Sequence, residues 1–80
     1  LKNLYLKGEY DKALHLLEQV LPMYRILEIY DNNYTYQRCY ALEAMAECLD
    51  KLGKNDMATL CYYELKHLQL EVLEPREAAK

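Results

Sequence analysis

Apolar residues recur every three or four positions along nearly the whole of this chain, and that period leaves little choice of fold. From Tyr10 onward the set Tyr10, Ala13, Leu14, Leu17, Val20, Leu21, Tyr24 and Leu27 follows i, i+3, i+4, i+7 spacing, the signature of one buried face of an α-helix. The spacing predicts a helix from Tyr10 to about Tyr30. Three breaks interrupt the pattern: Gly8–Glu9, the stretch "DNNY" at 31–34 and the stretch "GKND" at 53–56. Asp and Asn side chains compete for backbone hydrogen bonds and so favour turns and caps. Gly53 can take the left-handed conformation that closes a helix, with Asn55 or Asp56 available to cap the next. Two further helices are therefore predicted, over about 36–52 and 57–73, with Pro75 ending the last and a short helical end over Leu1–Lys7. Pro22 falls inside the long helix. It removes a backbone donor and crowds the carbonyl four residues back, but the apolar pattern runs on through it, so a bend is expected there and not a break. The fold class is all-α.

Eighty residues make one domain at most, with a modest core. Yet 52% of the residues are hydrophobic, nine of them tyrosine, with no Trp or Phe. A lone helical unit of this size cannot hide so much apolar surface, which implies neighbours, either more of the same chain or a partner. The net charge of −3 argues against nucleic acid, whose phosphates call for a basic surface. No apolar run approaches the roughly 18 residues of a membrane span, and the first residues carry no basic stretch leading into an apolar one, so neither a membrane segment nor a leader peptide is read here. Cys39, Cys48 and Cys61 form no C-x-x-C pair. An odd number of cysteines in a helical chain suits reduced thiols and hence the cytoplasm or nucleus.

The two glycines belong to one pattern. Gly8 returns as Gly53, 45 residues on, and the same offset sets Leu4 on Leu49, Leu1 on Ala46, Ala13 on Ala58, Leu17 on Tyr62 and Val20 on Leu65. Each glycine follows an apolar helix and precedes an amphipathic one, as in a helix–turn–helix unit repeated along an α-solenoid. On these residues the chain resembles the tetratricopeptide repeat family. That family's pattern, W-x2-L-G-x2-Y followed by A-x3-F, is met in the second copy by Leu42-x2-Met45-Ala46-x2-Leu49, Gly53 and Ala58-x3-Tyr62. The first copy enters partway, with Leu1, Leu4, Gly8, Tyr10, Ala13 and Leu17. Small residues at Ala13, Ala46 and Ala58 would let helices approach closely, and Leu17, Leu49 and Tyr62 would fill the space beside them.

The resemblance spans residues 1–73, as a partial first repeat over 1–30 and a second over 36–73, leaving 74–80 as a tail. The departures are an interval of 45 against the family's usual length of about 34, the missing closing prolines, Leu1 in place of a small residue, and Asn55 at the position that matches Tyr10. The longer interval comes from an extended second helix and is similar to the long-helix members of the kinesin light chain type. An ordinary four-helix bundle, or a three-helix bundle of the microtubule-interacting-and-transport type, is the alternative architecture.

Little in the chain speaks of chemistry. His15 and His67 are isolated on their helices, no Cys–His pair is adjacent, and no metal-ligand spacing or glycine-rich phosphate loop is present, so no enzyme, metal or cofactor is expected. Glu43, Glu47 and Asp50 share one helix face, which is most simply a solvated face. Tyrosine suits both interfaces and helix packing; Tyr40 fits either role, whereas Tyr62 is expected to pack.

The resemblance implies a protein–protein interaction scaffold, in which the first helix of each pair lines a concave groove for a partner segment. Carried over residue by residue, that role falls on Lys2, Tyr5 and Leu6, and on Tyr40, Glu43, Glu47 and Asp50. The cationic residues with which relatives clamp chaperone tails are replaced here by Glu43 and Glu47, so the expected partner is a basic or mixed-charge protein segment. A regulatory repeat domain that senses a small peptide or ligand is the second class.

Overall fold

The computed structural model describes Leu4 and residues 7–80. Three helices account for most of it: α1 over Tyr10–Tyr30, α2 over Tyr34–Lys51 and α3 over Asn55–Leu68. The chain stays helical beyond α3, through a wider π turn over Gln69–Leu73 and a short helix α4 over Glu74–Ala78. There is no strand among the described residues, and none of their helices is long and apolar enough to cross a membrane.

The glycine turns set the connections. Gly8 and Gly53 have φ of 75° and 78°, the left-handed conformation that other residues adopt only at a cost. After each glycine the next amide reaches back five residues: Glu9 N–H donates to the Leu4 carbonyl at 2.9 Å and Lys54 N–H to the Leu49 carbonyl at 2.8 Å. At Gly53 the glycine amide also bonds Asp50 O at 3.0 Å, completing the paired bonds of a Schellman stop. The next helix opens from the following residue without a side-chain cap. Glu9 and Lys54 have nearly the same backbone angles, −85°/63° and −94°/62°, and their carbonyls accept from Ala13 and Ala58. The side-chain cap expected of Asn55 or Asp56 is thus not made; both residues lie inside α3. Between α1 and α2 the turn is set by Asp31, whose side chain accepts from Asn33 N–H at 3.0 Å.

Helix α2 is the middle element. Ala13, Leu14 and Leu17 near the start of α1 share a core with Ala41, Cys48 and Leu49 of α2 and with Ala58 at the start of α3. At the other end Tyr24 stacks on Tyr34, ring centres 6.2 Å apart, so α1 and α2 run antiparallel. A second core joins Cys39 and Leu42 of α2 to Leu65 and Leu68 of α3, with Leu21, Val72 and Leu73 against it, so α2 and α3 are antiparallel too. Small side chains are among the most deeply buried: Ala13, Ala46 and Ala58 are all at most 1% exposed.

Pro22 does not break α1, which is one helix from end to end. Pro22 and Glu18, whose carbonyl the missing N–H leaves free, are both exposed, so water can satisfy that carbonyl. The expectation for Pro75 is corrected. Helical structure does not end before it, because Glu74 N–H bonds the Gln69 carbonyl five residues back and not four. That wider turn carries the chain past a residue that cannot donate and whose ring would strike an α-helical carbonyl, and Pro75 then lies in the first turn of α4, where no donor is needed.

A polar relay joins three elements. Glu28 of α1 accepts from Thr35 Oγ1 at 2.7 Å and from Arg38 Nη1 at 2.8 Å. The Arg38 and Glu28 side chains are only 18% and 17% exposed, and Thr35 is wholly buried. Arg76 of α4 donates to Thr35 Oγ1 at 3.1 Å and to the Asn32 carbonyl at 2.8 Å. Buried charges stay in place only when such partners are supplied.

Two measurements check this packing. Ala58→Leu overfills the closest contact and lowers stability by about 1–3 kcal/mol, seen as a fall of at least about 4 °C in the thermal midpoint followed by circular dichroism. Glu28→Ala strips the acceptor from both Thr35 and Arg38 and costs about 2–4 kcal/mol in urea unfolding; a cost below about 0.5 kcal/mol would mean that water replaces the carboxylate.

Candidate interaction surface

The residues expected to line a groove fall into two groups. Lys2, Tyr5 and Leu6 lie outside the described residues, as does Leu1. Tyr40, Glu43, Glu47 and Asp50 are exposed on α2. With α1 on one flank and α3 on the other, a single side of α2 is left open, and these four residues lie along it at offsets of three and four. Tyr36 sits one step further toward the start of the helix, completing a row of two phenols and three carboxylates.

The row has different neighbours on its two sides. Toward α1, Tyr40 is 66% exposed and forms the rim of an open groove of about 310 Å3, with Leu16, Val20, Tyr24, Gln37 and Ala41 in its walls. The lining is mostly apolar. Tyr24, Tyr40 and Gln37 are its polar-tipped lining residues. Toward α3 the row meets Tyr62, which was expected to pack. Its side is instead 40% exposed, and its hydroxyl donates to Asp50 Oδ2 at 3.5 Å. Partial burial, then the charges of Asp50 and Glu47, the hydrogen bond to Asp50 and the charge of Glu43 raise the Tyr62 hydroxyl above the ordinary phenol value of 10.0, since each disfavours a phenolate. The three acids therefore act on one point in space, which a row in sequence does not by itself guarantee.

At its far end the row is closed by the C-terminal segment. Tyr36 donates to Glu77 of α4. That hydrogen bond raises the Tyr36 hydroxyl and, with Lys80 beside it, holds the Glu77 carboxyl below its usual range. The 77th residue was invisible as a participant in sequence, because Pro75 made the segment read as a tail.

Elsewhere the three cysteines sit in or against the two cores. Cys39 and Cys48 are buried and Cys61 half-buried, none of them in a disulfide. Burial pushes the Cys39 and Cys61 thiols up, and a protonated thiol is a poor nucleophile. His15 is exposed and faces Gln19 at 3.1 Å. No cluster of three or more His, Cys, Asp or Glu side chains among the described residues could hold a metal ion. Two exposed apolar faces complete the surface, Met23, Ile26, Ile29 and Tyr30 on α1 and Leu60, Tyr63 and Leu70 on α3 and the turn after it.

No protein-family model, curated protein or solved structure matches this chain, so its surface is read from its own geometry.

The Tyr62 contact is open to titration. Because the folded chain keeps this phenol protonated to higher pH than the unfolded chain does, its contribution to stability is present below about pH 10 and is lost as pH rises through the folded value. Asp50→Ala removes one carboxylate and the hydrogen-bond acceptor, and the Tyr62 Cζ resonance then titrates at lower pH by NMR. An unmoved titration would place the Asp50 carboxylate too far away to act.

Proposed function

We propose that this chain is a protein–protein interaction module, a tetratricopeptide-like stretch of helical scaffold belonging to a larger chain or complex, which takes a basic partner segment along the open side of α2. The observation that carries this reading is the row Tyr40, Glu43, Glu47 and Asp50, exposed on a helix whose other sides are covered by α1 and α3. Carboxylates spaced along a helix face, beside an apolar groove of about 310 Å3, complement a segment carrying lysines or arginines with one apolar side chain between them. The groove would supply most of the affinity, since burying one Leu-sized side chain is worth about 1.5–3 kcal/mol. The exposed acids, worth about 0.2–1 kcal/mol each, would set orientation and speed of association.

Several features support the wider reading. The two glycine turns share the same backbone conformation, and Ala13 and Ala58, one offset apart, are equally buried, as a helical repeat of 45 residues requires. The apolar outer faces of α1 and α3 suit a scaffold that continues or is joined by a partner. Three cysteines outside any disulfide suit a reducing compartment, cytoplasmic or nuclear. Binding and not catalysis is the role these side chains fit, with no cofactor and no nucleic acid or membrane partner. The groove beside Tyr40 favours one second reading, a regulatory domain that senses a small peptide or ligand, because its volume falls at the lower bound of small-molecule pockets.

Fluorescence anisotropy tests the reading with a labelled peptide of alternating lysine and serine around a central leucine. Its affinity should fall as salt rises from 20 to about 200 mM, since exposed charges are screened beyond roughly 8 Å at physiological ionic strength. Glu43→Lys with Glu47→Lys should weaken it about tenfold or more, while the thermal midpoint moves little, as surface changes usually cost under about 0.5 kcal/mol. Replacing the central leucine by serine should cost a further tenfold. Unchanged affinity in the double reversal at low salt would mean that the acids only solubilise α2, and binding of the uncharged leucine analogue alone would favour the small-ligand reading.

A further inference from the structure

The C-terminal segment is held differently from the rest of the molecule. Each of α1, α2 and α3 contributes fully buried side chains to a core, whereas the π turn and α4 contribute none. What holds the segment is a short set of contacts: Val72 and Leu73, half-buried against the second core, Arg76 on Thr35 Oγ1 and the Asn32 carbonyl, and Glu77 on Tyr36. Its backbone is weakened where it leaves α3. The π turn makes its bonds over five residues and Pro75 has no N–H to donate, so bending there breaks fewer hydrogen bonds than bending within an α-helix.

We infer that residues 69–80 form a hinged strap, which opens as a unit about the π turn while α1, α2 and α3 stay packed, with Arg76 as its latch. Few buried apolar contacts, a weak hinge and a latch of a few polar bonds are the features of a segment that opens locally at a small fraction of the global cost. The latch is not a surface ornament. Arg76 donates to a wholly buried hydroxyl, which in turn donates to the Glu28 carboxylate, so closing the strap ties the C-terminal segment to both α1 and α2. Opening it removes Val72 and Leu73 from the core that contains Cys39 and frees Tyr36, at the end of the exposed row on α2. The strap therefore decides whether the start of that row is accessible, whatever the row binds.

The three thiols report on the opening without added probes. Cys39 lies under the strap, Cys48 lies in the other core, and Cys61 is half-buried on α3. Each can be followed by iodoacetamide alkylation of the folded protein and mass spectrometry of its peptides. Arg76→Ala should accelerate alkylation of Cys39 about tenfold, the worth of one hydrogen bond to a charged group, with Cys48 unchanged. An unchanged Cys39 rate, or equal acceleration of Cys39 and Cys48, overturns the strap, the second because it means that the whole fold opens together. Hydrogen exchange on the unaltered chain gives a result independent of any variant. Amides from Leu70 to Ala78 should exchange together and at least about tenfold faster than those of Met45–Leu49. Matching protection in the two segments would show that they open only with the whole fold and would sink the proposal.

Discussion

The deep burial of three alanines is the constraint from which the rest of this structure follows. Ala13, Ala46 and Ala58 are almost without exposed surface, and no larger side chain at those points would let α1 and α3 lie along α2 at the distance the leucines beside them need. Close-packed interiors leave no slack for an added methylene. Once α1 and α3 are seated, α2 has a single open side, and the identity of the residues there is released from any packing requirement. The acids and Tyr40 occupy that side, where nothing structural forbids them.

Much of this was legible in the order of residues. The helix from Tyr10 to Tyr30 was read with its bounds as found, because an uninterrupted 3.6-residue period over twenty positions has no competing interpretation. The glycine turns were legible for a different reason: a glycine between two amphipathic stretches has few uses other than a positive φ, and both have one. Helix α2 begins at Tyr34 and not Tyr36, since the Asp31 side chain completes its turn within two residues and releases the chain into helix sooner than the run of turn-forming residues implies. The openness of α2 on one side also follows from its period, but the meeting of Tyr62 with Asp50 does not. It depends on how α3 is rotated against α2, and a rotation of that kind is fixed by packing in three dimensions.

The C-terminal segment was the part that sequence concealed. Proline after a helix is normally a stop, and the π turn that accommodates it leaves no compositional trace, because it changes hydrogen-bond register and not residue type. The relay from Arg76 through Thr35 to Glu28 was hidden for the same kind of reason. Its members are separated by 41 and 7 residues, and a polar side chain buried by distant neighbours reads, in sequence, like any other polar side chain. Tyr36 and Glu77 are likewise separated by 41 residues.

That separation shapes how the molecule comes to be folded. The pairings of α1 with α2 and of α2 with α3 join neighbours across turns of three residues each, so their ends are brought together at small entropic cost and such hairpins form early. Arg76 must instead find Asn32, 44 residues away, and its target does not exist until the turn between α1 and α2 has been made and Thr35 has been buried. The strap's polar contacts therefore close the longest loops in the molecule, and they depend on a turn and a core that the helix pairs must supply.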